Sequence, residues 1–166
     1  EAMLKEIFFC LGRIADGPFY YKTPFAAPEV EPWPFDPEKA EKLFFQAGWT
    51  DTDGDGVLDK EGKPFRFELS FTAAVPEWEQ MAVMYKEDLR KAGIDMSIRK
   101  LEWAVFLTNV QKWKFDACAM AWALDANPDP YQLWHSSQAD QEGSSNHVGF
   151  KNEEVDRLIE ENRSDF

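Results

Sequence analysis

Cysteine and histidine are scarce, two of each in 166 residues. Cys10 and Cys118 stand far apart with no CxxC spacing, and His135 and His147 share no metal-ligand motif with them, which argues against a zinc site. Apolar flanks predict free, buried thiols, with a disulfide as the alternative; the histidines suit surface or cap positions. Basic residues are few as well: 18 Lys and Arg against 31 Asp and Glu leave a net charge of −13. They form no stripe, so a nucleic acid would be repelled. Long apolar runs are absent, none approaching the roughly 18 residues of a bilayer span. The N-terminus has no charged, apolar and small-residue regions in signal-peptide order, as expected of a mature or trimmed chain, and the compartment stays open. No Ser-His-Asp, Cys-His, phosphate-loop or GxGxxG pattern is found.

What is present is alternation between two periods. "FDPEKAEKLFFQAGW" places Asp36 at an N-cap, Pro37 at the first helical position and Glu38 in the first turn. Ala40, Leu43, Phe44 and Ala47 then share one face before Gly48. Upstream, residues 17–35 are dense in proline and predict an extended segment over the domain surface, pinned by its aromatics. Downstream, Phe65, Phe67, Leu69 and Phe71 recur at period two, a half-buried strand. Trp78, Met81, Ala82, Tyr85, Leu89 and Ala92 follow at helical spacing up to Gly93. Ile94, Met96, Ile98 and Leu101 alternate again, Trp103, Phe106, Leu107 and Val110 return to helical spacing, and "FDACAMAWAL" predicts a buried strand. The order β-α-β-α-β implies right-handed crossovers and a largely parallel sheet, the length suits one domain, and ligands bind such sheets at the carboxyl ends of the strands. Trp122 and Asp125 fall at such an end.

The loop at 50–64, "DTDGDGVLDKEGKP" in its core, has the spacing of a calcium loop. Asp51, Asp53 and Asp55 fall at positions 1, 3 and 5, Gly56 at 6, the Val57 carbonyl at 7 and Asp59 at 9. Position 12 should be a bidentate glutamate and is Gly62, with Glu61 one place early. Two readings stand: a structural calcium site, or aspartates closing Asx-turns between a helix and a strand. On neither reading is the loop part of the 121–137 segment.

Three stretches, "FDPEKAEKLFFQAGWTDTDGDGVLDKEGKPFRFELSF", "LRKAGIDMSIRKLEWAVFLTNVQKWKFDACAMAWALDANPDPYQLWHSS" and "NHVGFKNEEVDRLIEENR", together resemble the family 5 extracellular solute-binding proteins. These are the peptide, dipeptide and nickel receptors of bacterial ABC importers. The resemblance implies an α/β fold of the periplasmic-binding-protein class II type, a mixed, mostly parallel sheet with flanking helices. It also implies that residues 1–166 form one partial domain, most of the C-terminal lobe of a two-lobed receptor whose first lobe lies outside this chain.

By the same resemblance, Asp125 in "WALD" accepts the N-terminal ammonium of a peptide, a charge-assisted bond that strengthens as a cleft closes. Trp122 and Trp103 wall the side-chain pockets, where a rigid indole accepts many side chains. The backbone at Ala121 and Ala123 pairs with the ligand as an added strand. Ala119 stands where some oligopeptide binders carry a basic residue, which leaves peptide length open. Expected partners are a peptide and the membrane permease, in the periplasm or on a lipid anchor outside a single-membrane cell, with no catalysis and no cofactor apart from the calcium under consideration. Nickel or haem is the alternative within the family. Outside it, the rivals are a calcium-stabilised interaction module and a small enzyme using Asp125 and Asp129; Asp129, between prolines, has a turn role of its own.

Overall fold

The computed structural model describes residues 2–15, 17–27, 29–123 and 129–164. They gather into two compact units, one of Glu1–Trp103 with Asp116–Met120 and one of Ala104–Phe115 with Ala121–Phe166.

The first unit opens with a short helix α1 (Ala2–Glu6) and a run of turns. Residues 17–27 and 29–35 form neither helix nor strand: Thr23, Ala26 and Val30 each donate a backbone N–H three residues back, and residues 31–35 have no regular element. Phe19 and Phe25 meet each other at 6.2 Å, while Trp33 is 88% exposed with the Lys39 ammonium over its ring, so the aromatics pair locally. Helix α2 (Pro37–Gln46) begins where the Asp36 carboxylate accepts the Lys39 N–H at 2.9 Å, and Gly48 lies past its end with φ +85°. Of the expected apolar face only Ala40 and Phe44 are shielded. Leu43 and Ala47 are exposed, because the helix leans through Phe44 on Phe65, which in turn stacks on Trp49 at 4.4 Å.

Strands β1 (Asp59–Lys60) and β2 (Lys63–Pro64) form a minimal antiparallel hairpin. Glu61 and Gly62 turn it with φ +53° and +73°, the two left-handed residues a tight hairpin needs. Then come β3 (Arg66–Thr72), α3 (Pro76–Lys91) and β4 (Asp95–Leu101), followed by α4 (Trp103–Gln111) and β5 (Ala117–Cys118). The sheet order is β4-β3-β5 and both pairings are parallel. Phe71 and Met96 of the sheet are buried with Ala82 of α3 and Ile94 just before β4. Asp116 accepts the Glu68 N–H at 3.0 Å and so ties the start of β5 to the central strand.

The expected strand through Trp122 is corrected here. Regular pairing covers Ala117 and Cys118, one more ladder bond runs from the Ala119 N–H to the Ser70 carbonyl, and Ala121, Trp122 and Ala123 are exposed and outside any strand. Alanines at 119, 121 and 123 bury little surface and have low strand propensity, so nothing extends the ladder. The expectation for Cys10 is also corrected. It is exposed, because the five-residue α1 buries none of its residues, whereas Cys118 is half buried; both are free. Burial pushes the Cys118 thiol pKa up.

The second unit holds most of α4, a short helix α5 (Tyr131–Trp134), a 3-10 turn (Ser136–Gln138) and helix α6 (Glu153–Ser164). Asn152 caps α6 by accepting the Val155 N–H at 3.1 Å, and Glu153, Glu154 and Asp156 lie in its first turn, where carboxylates suit the helix dipole. Phe106, Val110, Ala139 and Ile159 are its buried apolar residues, and Asn146 is 1% exposed. Among the described residues no helix is long and apolar enough to cross a membrane.

Candidate functional site

Trp122 is 49% exposed, and its indole lies nearly parallel to the imidazole of His147, centroids 5.9 Å apart and planes at 17°. His147 is half buried and desolvation pushes its pKa down, so the ring beside the indole is neutral at ordinary pH. Its position is neither the surface nor the cap expected from sequence. Asn146 sets it. The Asn146 side chain donates to the carbonyls of His135 (3.4 Å) and Phe150 (2.9 Å) and accepts the Phe150 N–H at 2.9 Å, which closes the loop that carries His147.

Ala121 and Ala123, both exposed, flank Trp122. Trp103 begins α4 just after β4 and is likewise 49% exposed; it belongs to the other compact unit. Asp125 lies outside the described residues, 124–128 being excluded.

Asp129 serves structure. One carboxylate oxygen accepts the Tyr131 N–H at 3.0 Å at the start of α5, and the other pairs with Arg163 at 3.4 Å, while the Arg163 guanidinium covers the Tyr131 ring. His135 is the cap the sequence allowed. Its Nδ1 accepts the Ser137 N–H at 3.1 Å, which fixes the proton on Nε2 to face Glu160 at 3.3 Å, and its ring stacks on Tyr131 at 4.3 Å. The Ser136 N–H donates to Asp156 at 2.8 Å, and the Ser136 hydroxyl, with the amide, holds that carboxyl below its usual range. Two links therefore fasten α6 to the segment after α5.

The acidic loop satisfies itself. Asp51 accepts the N–H groups of Gly54 (2.7 Å) and Gly56 (3.0 Å), Asp53 that of Asp55 (3.1 Å), and Asp55 that of Val57 (2.7 Å). Asp59 accepts from the Thr52 amide and hydroxyl. Carboxylate oxygens of Asp51, Asp53 and Asp59 nevertheless lie within 4.8 Å of one another, a hard-oxygen set that fits a cation such as calcium. Asp55 leaves that set to pair with Arg66 at 3.4 Å. Glu61 and Gly62 are the hairpin turn, which accounts for the missing position-12 ligand.

His147 and Asn146 were not foreseen as site residues. The only sequence signal was their place in the "NHVGF" stretch, because a stack between positions 122 and 147 has no periodicity.

Comparison with known proteins places these elements in a wider frame. The family described as "Bacterial extracellular solute-binding proteins, family 5 Middle" matches residues 1–144. The oligopeptide-binding protein AppA of Bacillus subtilis is 38% identical over 138 residues, covering 82% of this chain and 25% of that protein. The structure of AppA in complex with a nonapeptide superposes with a TM-score of 0.85 at 33% identity, covering 96% of this chain and 32% of that one. The nickel-binding periplasmic protein of Escherichia coli is 32% identical over 98 residues, 59% of this chain and 19% of that protein. The chain spans about a quarter of the length of the curated relatives it matches. Its parallel sheet and flanking helices are those of a lobe of a class II periplasmic binding protein. The chain belongs to the family 5 bacterial extracellular solute-binding proteins.

Proposed function

We propose that this chain is most of the C-terminal lobe of a receptor that captures oligopeptides and hands them to the membrane permease of an ABC importer, without catalysis. It works in the periplasm, or on a lipid anchor where the cell has one membrane. The observation that carries the reading is the run from Ala121 to Ala123, exposed residues outside any strand with a half-exposed indole at its centre. Backbone outside any strand there suits an added peptide strand, which gives affinity independent of side-chain sequence. A flat indole beside it suits side chains of many shapes. In this reading Trp122 and Trp103 line side-chain pockets, and Asp125 takes the peptide ammonium. The engagement of Asp129 with Tyr131 and Arg163 speaks against the carboxylate-pair enzyme.

For the acidic loop the same reading assigns a structural role, with calcium as its only candidate ion. Most of its carboxylate bonds are internal turns.

Native mass spectrometry of the full-length receptor, followed by release and sequencing of the bound material, tests the function. Peptides of mixed sequence are the expected cargo. A nickel or haem complex with no peptide would overturn the reading and favour the other branch of the family.

A further inference from the structure

Trp122 stands half exposed on backbone that no strand holds. An indole in that setting samples several rotamers and loses that freedom when a ligand settles against it. The His147 ring limits it. The two rings overlap at 5.9 Å and 17°, within the range of offset aromatic stacking.

We propose that His147 is a positioning residue, one that pre-sets the Trp122 indole as a wall for peptide side chains and so sharpens selection of bulky apolar side chains over glycine. The inference rests on the peptide-receptor reading above. His147 is well placed for this role because its neighbour is anchored. Asn146 is buried and bonded to His135 on one side and Phe150 on the other, so the imidazole is presented from fixed backbone. The ring is uncharged at ordinary pH, since partial burial disfavours the imidazolium. It therefore offers the indole a flat face without bringing a charge to the site, where a cation would be costly once a ligand excludes water.

Pre-organisation of this kind acts on a ligand that touches the indole and leaves other ligands alone. Fixing one rotamer-rich side chain in advance corresponds to about three- to ten-fold in affinity. Isothermal titration of the full-length receptor with pentapeptides carrying Gly, Leu or Phe at each position in turn, for the parent, His147→Ala and His147→Phe, tests it. His147→Ala should weaken the Leu and Phe peptides three- to ten-fold at the position facing Trp122 and change the Gly peptide less than two-fold. His147→Phe should restore the preference. The part of the tryptophan emission that Trp122→Phe removes should shift to the red in His147→Ala and return in His147→Phe. If the alanine variant does not fold, His147→Leu, which fills the space without a flat ring, takes its place with the same expected loss. Binding by His147→Ala or His147→Leu equal to the parent overturns the inference alone, as does failure of His147→Phe to restore it. A parent that binds none of the peptides overturns the receptor reading and this inference with it.

Discussion

The backbone N–H of Leu58 donates to the Gly93 carbonyl at 2.8 Å, and a β-carbon on Gly93 would stand 2.8 Å from the Leu58 Cγ. The exit of the acidic loop is thus docked on the turn that leads from α3 into β4. Gly93 has φ +77°, so an alanine there meets both a left-handed backbone and a blocked site. Gly93→Ala should cost about 2–4 kcal/mol, seen as a lower urea midpoint with an unchanged slope. An unchanged midpoint would mean that Leu58 yields freely.

Asn146 holds a second such junction. Its removal leaves the Phe150 N–H and carbonyl without the Asn146 amide, while the His135 carbonyl keeps the Gln138 N–H at 3.0 Å. Asn146→Ala should destabilise the protein by about 3 kcal/mol. Hydrogen exchange of the Phe150 amide should quicken first, and retention of its protection would show that water replaces the side chain without loss.

These junctions mark the limit of what the sequence discloses. The strands at 65–71 and 94–101 and the helical spacing between them are legible in the apolar periods, and β4 begins with the expected alternation, but β3 is not half buried: Ser70, Phe71 and Thr72 are all buried, because the central strand is covered on both faces. The cap at Asp36 and the stop at Gly48 are legible too, being one-residue chemistry. The strand expected through Trp122 ends at Cys118. Apolar content there does not amount to pairing, because Ala119, Ala121 and Ala123 supply neither bulk nor branching to hold an edge. The stack of His147 on Trp122 joins residues with no common period, so composition and spacing carry no trace of it. Asp125, the residue the resemblance singles out, lies outside the described residues.

Acid should loosen the hold on α6. Asp156 has its carboxyl pKa lowered from 3.8 by the bonds from Ser136. A depressed carboxylate contributes stability that is fully present above the unfolded value and lost as pH falls through the folded one. Protection of the Ser136 amide should therefore decline below about pH 4, and Asp156→Asn should flatten that decline. An identical acid profile in the variant would assign the loss to other groups.

The acidic loop predicts a small calcium effect. Asp51, Asp53 and Asp59 can share a cation, but their turn bonds already order the loop. Added calcium should raise the melting midpoint by at most a few degrees, the scale of about 1 kcal/mol. Asp53→Asn should remove that shift. Chelation should leave the peptide affinity of the full-length receptor within two-fold, and a ten-fold loss would tie the loop to binding.

Asp125 gives the sharpest test of what the receptor holds. In the proposed reading it accepts the peptide ammonium, and its sequence position three residues after Trp122 puts a carboxylate in the same segment as the exposed indole and the exposed Ala121 and Ala123. A charge pair of this kind gains strength when a closing cleft removes water. Truncating one partner typically costs roughly 2–5 kcal/mol, so Asp125→Asn should weaken peptide binding by about 30-fold or more while the melting midpoint stays in place. N-acetylated peptides lack the ammonium and should bind the parent receptor as poorly as free peptides bind the variant. The two losses should not add, because each removes the same contact. Full affinity of the asparagine variant for free and acetylated peptides alike would leave Asp125 as a turn residue and point to a ligand that is not held by an N-terminus.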